Sequence, residues 1–157
     1  MIEAVHILIA EDDGNDAFLM QTAFQEAGGS NQLFIVRDGA EAIAYLNGDG
    51  AFADRGDYPW PGLLLLDLKM PRVDGFGVLK WLKRRRHALP PLVVVVHTSS
   101  KHDFDFHRAL ELGADAYWLK PHTFGDLVNS ARALCDRLRE PPPRPATVAQ
   151  RRAEASW

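Results

Sequence analysis

The chain has one cysteine, Cys135, so neither an intramolecular disulfide nor a metal–thiolate cluster can form within it, and a lone thiol suits a reducing compartment. It also lacks an excess of positive charge: 18 Lys and Arg against 21 Asp and Glu leave a formal net charge of -3. Non-specific nucleic-acid binding needs a basic surface to displace phosphate counterions, so direct binding of nucleic acid is not expected. No apolar run approaches the roughly 20 residues that span a bilayer. The opening "MIEAVHILIAEDD" lacks the basic and long apolar regions of a signal peptide. The expectation is a cytoplasmic protein with no membrane partner.

Polar alternation is missing too, and that absence points to a fold. Apolar runs bounded by turn residues recur at Val5 to Ala10, Leu33 to Val36, Leu63 to Leu66, Leu92 to Val96 and Ala116 to Leu119. Short runs without alternation suit strands buried on both faces, as in a parallel sheet. Helix-length stretches lie between them. "DAFLMQTAFQEAG" sets Phe18, Leu19, Thr22, Ala23 and Glu26 at helical spacing and stops at the glycines 28 and 29, while "GFGVLKWLKRRRH" carries Phe76, Leu79 and Leu82 on one face. Strand and helix alternate five times, which predicts an α/β fold: a doubly wound, five-stranded parallel sheet with five helices. A length of 157 residues with 46% hydrophobic content fits one domain over residues 1–138. Pro141, Pro142, Pro143 and Pro145 then break the last helix, so 139–157 reads as a stiff, partly disordered, proline-rich extension, a flexible or dimer arm.

In such sheets ligands bind beyond the carboxyl ends of the strands. Those ends carry Glu11, Asp12 and Asp13 after the first strand, Asp67 after the third, Thr98, Ser99 and Ser100 after the fourth, and Lys120 and Pro121 after the fifth. Singly, these are ordinary capping and surface residues. Together, clustered carboxylates stay ionised only if a cation shares the site, and hard oxygen donors favour Mg²⁺. A divalent ion, a lysine and a hydroxyl around a carboxylate suit phosphoryl transfer, with Asp67 as the nucleophile.

On "ILIAEDD", "LLLLDLKMPRVDG", "HTSS" and "LKPH", in that order, the chain resembles the receiver domain of two-component response regulators, a CheY-like flavodoxin-type fold, over about Val5 to Leu138. The resemblance implies that Glu11 and Asp12 are the acidic pair and that Mg²⁺ is held by Asp12, Asp67 and the main-chain carbonyl of Lys69. It implies further that Asp67 is the phosphoacceptor, that Thr98 bonds a phosphoryl oxygen after modification, and that Lys120 pairs with the phosphate. Tyr117 matches the aromatic switch residue. The implied partner is a sensor histidine kinase, docking around Phe18, Leu19, Thr22, Pro121 and His122. "YLNG", the long "LNGDGAFADRGDYPWPG" connection and the lack of a following output domain are similar to single-domain regulators that serve bacterial phytochromes, which makes a bacteriophytochrome the expected kinase.

Other classes use parts of this pattern. A haloacid-dehalogenase-like phosphatase also has a strand-end Asp nucleophile and Mg²⁺, but it places a second acid two residues on, where this chain has Lys69. A phosphorylation-independent interaction module often loses part of the acidic pocket, and here every member is present. His97 departs from the apolar residue expected before the switch threonine and reads as a satisfied, partly buried histidine. Pro71 reads as setting the direction of the Lys69 carbonyl, and Gly75 as giving the loop room to turn. Phe124, Leu127, Val128, Ala131, Leu134 and Leu138 form an apolar stripe that mostly covers the sheet; part of it, with Trp118 and the C-terminal arm, is a candidate homodimer contact.

Overall fold

A computed structural model describes residues 5–28 and 32–138. The expected extension at 139–157 lies outside the described residues. The elements run β1 (His6–Ala10), α1 (Gly14–Glu26), β2 (Gln32–Val36), α2 (Gly39–Asn47), β3 (Leu63–Leu66), α3 (Gly75–Arg85), β4 (Val93–Thr98), α4 (Asp103–Glu111), β5 (Ala116–Leu119) and α5 (Phe124–Leu138). The strands form one parallel sheet in the order β2-β1-β3-β4-β5, which is the predicted doubly wound α/β architecture. After β2 the chain crosses to the other side of β1, so the strand order reverses between β1 and β3. A binding crevice is expected at that point, beyond their carboxyl ends.

The missing alternation has a direct cause, because each strand serves two cores. Leu64 and Leu66 face the layer of α2, α3 and α4, while Leu63 and Leu65 face the layer of α1 and α5. All four are buried, and burying each stabilises the fold by roughly 1.5–3 kcal/mol. Three helices start on an aspartate cap that accepts a main-chain N–H: Asp13 from Asp16, Asp38 from Glu41 and Asp74 from Gly77, at 2.8–2.9 Å. Asp13 is therefore a cap. Glu11 and Asp12, its neighbours, are left for the crevice.

Two expectations change in the structure, and the packed face of α1 becomes clear. Strand β4 runs two residues beyond Val96, through His97 and Thr98, because both continue the pairing to β5 opposite Trp118 and Leu119. The packed face of α1 is Ala17, Met20, Ala23 and Phe24, whereas Phe18 and Leu19 are 65% and 42% exposed. Trp118 is buried among the residues covered by α1 and α5, which removes it from the homodimer contact; on α5 itself, Ala131, Leu134 and Cys135 are buried while Phe124 is exposed. The long connection before β3 is held down by Arg55, whose guanidinium donates to the main-chain carbonyls of Tyr45, Leu46 and Tyr58. Two of these are carbonyls at the end of α2, so the arginine caps that helix from outside. Among the described residues, no helix is long and apolar enough to cross a membrane.

Candidate functional site

The sheet carries the predicted residues to one edge. The main-chain N–H of Asp67 donates to the Ala10 carbonyl at 3.1 Å and that of Glu11 to the Val36 carbonyl at 3.0 Å, so both residues remain tied to the sheet beyond the strand ends. The main-chain N–H of Lys120 donates to the Thr98 carbonyl at 2.8 Å, binding the ends of β4 and β5 together. One carboxylate oxygen from each of Glu11, Asp12 and Asp67 lies within 4.8 Å of the others. Lys120 reaches across from β5: its Nζ is 2.5 Å from Glu11 Oε1, 3.0 Å from Asp67 Oδ2 and 2.9 Å from Asp16 Oδ2.

The loop after β3 folds back on the strand. Lys69 donates its main-chain N–H to Asp67 Oδ1 at 3.3 Å, and Gly75 donates its own to the Leu68 carbonyl at 3.0 Å. Gly75 does not supply the turn, since its φ is not positive; the left-handed residue is Arg72, at φ 64°. Gly75 is needed for closeness, because a Cβ there would sit 2.4 Å from the Asp67 carbonyl oxygen. Arg72 in turn pairs with Asp38 at 2.5 Å and fastens this loop to the start of α2.

Three carboxyl groups, from Glu11, Asp16 and Asp67, therefore face one ammonium, with Asp12 beside them. Burial, a hydrogen bond with Asp67 and the Asp67 charge push the Glu11 carboxyl up to about 8, against the opposing pull of Lys120. Burial works to lower Lys120, but hydrogen bonds with Glu11 and Asp16 and the Asp67 charge hold it above the ordinary lysine range. Glu11 Oε2 is buried without a hydrogen-bond partner. An unpaired buried carboxylate oxygen beside two more carboxylates, with no nitrogen or sulfur donor in the group, fits a hard divalent cation. An open depression continues from Asp12 along Lys69, Met70, Asp74 and Asp105, giving an incoming group access.

Thr98 and Tyr117 are not among the partners of the Lys120 ammonium. Thr98 is buried at the end of β4 and its Oγ1 accepts the Ser100 N–H at 3.2 Å, so it does not cap the next helix. Tyr117 is buried on the α4 side, its hydroxyl donating to the Ser100 carbonyl at 2.9 Å and its ring edge-on to Phe106. Ser100 Oγ donates to Asp105 Oδ2 at 2.6 Å. Ser100 thus joins Thr98, Tyr117 and α4, a role that a serine in "HTSS" does not announce.

Asp16 also escapes a sequence reading. Its signal, an acid three residues after the Asp13 cap, is what a helix start displays for its own dipole. Only the tertiary fold turns it toward Lys120. His97 differs from expectation in the other direction: it is 4% exposed, and neither ring nitrogen has a hydrogen-bond partner. Desolvation, reinforced by Lys120, pushes its imidazole down to about 4 against the opposing Asp67 and Asp16 charges.

Comparison with known proteins agrees with this fold. The family model described as response regulator receiver domain matches residues 7–132. The probable methanogenesis regulatory protein FilR2 of Methanothrix harundinacea is 38% identical over 130 residues, 82% of this chain and 79% of that protein. The structure is similar to response regulator RPA3017 in red light signaling of R. palustris, with a TM-score of 0.81 and 35% identity over 91% of this chain and 99% of that one. It is also similar to the Mn²⁺-bound form of response regulator Rcp1 of Synechocystis sp., with a TM-score of 0.75 and 32% identity over 90% and 99% of the two chains.

Proposed function

The chain belongs to the response regulator receiver domain family, and on that premise we propose that residues 1–138 form a phosphorylation-driven switch whose phosphoacceptor is Asp67, with 139–157 as an appended segment. One arrangement carries the reading: Lys120 from β5 joins Asp67 from β3 and Glu11 from β1 around a carboxylate held at a strand end. A carboxylate oxygen of Asp67 attacks the phosphorus of a phosphohistidine on a sensor histidine kinase. The Oδ–P bond forms as the N–P bond breaks, and the bonding pair leaves with the imidazole nitrogen. Asp12 and Asp67, with Glu11 beside them and the main-chain carbonyl of Lys69, would hold Mg²⁺, which when bound neutralises charge on the phosphoryl oxygens.

Once Asp67 is modified, Lys120 pairs with the phosphoryl group and the Thr98 hydroxyl donates to one of its oxygens. Thr98 is linked through Ser100 to Tyr117 and to Asp105 on α4, so its movement pulls on both. Phe104, Leu119 and Phe124 are the exposed large apolar residues on α4, β5 and α5, and they are where a target or a second copy would read the change. On the input side, Phe18 and Leu19 project from α1 and suit the kinase contact. The likeness to a red-light regulator supports a bacteriophytochrome as that kinase.

The test is intact mass measurement after incubation with acetyl phosphate and Mg²⁺. The chain is expected to gain one phosphoryl group and Asp67→Asn none. An unlabelled wild-type chain would instead fit a phosphorylation-independent module and overturn the reading. A second expectation concerns pH. Because the Glu11 carboxyl is protonated below about 8 in the free protein, Mg²⁺ binding displaces its proton. Mg²⁺ affinity should therefore rise as the pH rises toward about 8. Calorimetric titration at neutral pH, in buffers of differing ionisation enthalpy, should show proton release that Glu11→Gln abolishes; equal release by both would contradict it.

A further inference from the structure

We propose that Asp16 is a positioning residue for phosphoryl transfer, holding the Lys120 ammonium from the α1 side so that it stays aimed at Asp67 as the phosphoryl group arrives and leaves. The inference rests on Asp67 being the phosphoacceptor. An ammonium has three N–H donors, and Lys120 spends all three on carboxylates: Glu11 at 2.5 Å, Asp16 at 2.9 Å and Asp67 at 3.0 Å. The three partners come from β1, α1 and β3, so they fix Nζ from different sides. Phosphorylation alters the Asp67 bond directly, since that carboxylate becomes an acyl phosphate. Where Nζ then sits depends on the phosphoryl group it pairs with and on the two carboxyl partners that remain.

Glu11 and Asp16 are not equivalent anchors. Glu11 belongs to the three-carboxylate group that suits a cation, and its second oxygen is the buried one without a partner. Its carboxyl would be divided between that cation and Lys120. Asp16 lies outside that group, and its carboxylate pairs with Lys120. It also sits on a fixed support. Its main-chain N–H is bound to the Asp13 cap, and its neighbour Ala17 is buried against the sheet. A surface ion pair alone contributes little. Here the Asp16 side chain is 41% exposed but the lysine only 18%, so the pairing bears on where a largely buried charge points. Misplacing a reacting or stabilising group by about 1 Å costs as much as roughly 100-fold in rate, so an anchor of this kind has kinetic leverage.

If Asp16 only favours the start of α1, its replacement would change stability slightly and leave the chemistry alone. If it positions Lys120, the two residues must be coupled. The test compares the rate of Asp67 labelling by acetyl phosphate, and the rate of phosphoryl loss, in wild type, Asp16→Asn, Asp16→Glu, Lys120→Ala and the Asp16→Asn/Lys120→Ala double variant. Asp16→Asn is expected to slow both rates about 10-fold, with Asp16→Glu recovering most of the loss and Asp16→Asn adding nothing in the Lys120→Ala background. Unchanged rates in Asp16→Asn, or the same slowing in both backgrounds, would overturn the proposal. A further readout needs no phosphoryl donor: hydrogen exchange at Lys120 Nζ, followed by nitrogen-15 NMR and assigned by its loss in Lys120→Ala. Exchange should be about 10-fold faster in Asp16→Asn; equal exchange would overturn the inference even if Asp67 is labelled. Faster exchange in a chain that takes no label would uphold the anchor and sink the phosphoacceptor reading instead.

Discussion

Gly75→Ala is expected to destabilise the fold by roughly 3 kcal/mol and to slow labelling of Asp67, although it adds one methyl group to a helix start that otherwise favours alanine. The added Cβ would lie 2.4 Å from the Asp67 carbonyl oxygen and 2.8 Å from Leu68 Cα. Both are main-chain atoms at the end of a buried strand, so neither can rotate away as a side-chain tip would. Relief requires α3 to lift from β3 or the Asp67 backbone to shift. The first breaks the bond from the Gly75 N–H to the Leu68 carbonyl, and the second moves the phosphoacceptor. Gly28 is the instructive contrast, with a φ of 83° and nothing within 4 Å of its missing Cβ. There the backbone conformation would resist a side chain, while at Gly75 only space does. Urea denaturation and the acetyl phosphate labelling rate, measured on the same preparation, check the prediction. An unchanged midpoint with an unchanged rate would show that the loop does not press on the strand as described.

His97→Leu is expected to stabilise the protein, more so as the pH falls. At neutral pH the buried imidazole leaves both nitrogens unpaired. Replacing it with an apolar side chain of similar size removes that desolvation cost, on the order of 1 kcal/mol. In acid the effect grows. The folded histidine protonates only near pH 4, whereas an unfolded one does so near 6.5. Between those values the unfolded chain binds the additional proton, so stability is fully present above about 6.5 and is lost as the pH falls toward 4. The whole window is worth about 3 kcal/mol. Lys120 adds to the depression, while Asp67 and Asp16 oppose it. Urea midpoints across this window should fall steeply for wild type and more gently for His97→Leu; parallel curves would contradict the account.

The sequence told most about what periodicity and chain order control. Unbroken apolar runs marked all five strands because a parallel sheet covered on both faces leaves no polar side to reveal alternation. The run Leu63 to Leu66 matched its strand end to end for that reason. Where the run ended in polar residues, the reading stopped short: His97 and Thr98 are strand residues whose pairing with β5 is a tertiary fact. The face of α1 was ambiguous because Ala17, Phe18, Leu19, Met20, Ala23 and Phe24 place apolar side chains nearly all round it. Within the site, residues at strand ends were legible because the topology gathers strand ends. Asp16 was not, being on a helix and disguised as an ordinary first-turn acid. The role of Gly75 is not legible either, since close approach of two backbones leaves no mark on a single sequence.

Locating the phosphoryl group in the chain decides whether Asp67 carries it. After labelling with acetyl phosphate and Mg²⁺, borohydride reduction converts an aspartyl phosphate to homoserine, which tandem mass spectrometry can place in the peptide sequence. The account predicts homoserine at position 67, dependent on the phosphodonor, and at no other aspartate, including Asp12 and Asp16. Homoserine elsewhere with Asp67 intact, or equal labelling of Asp67→Asn, would contradict it.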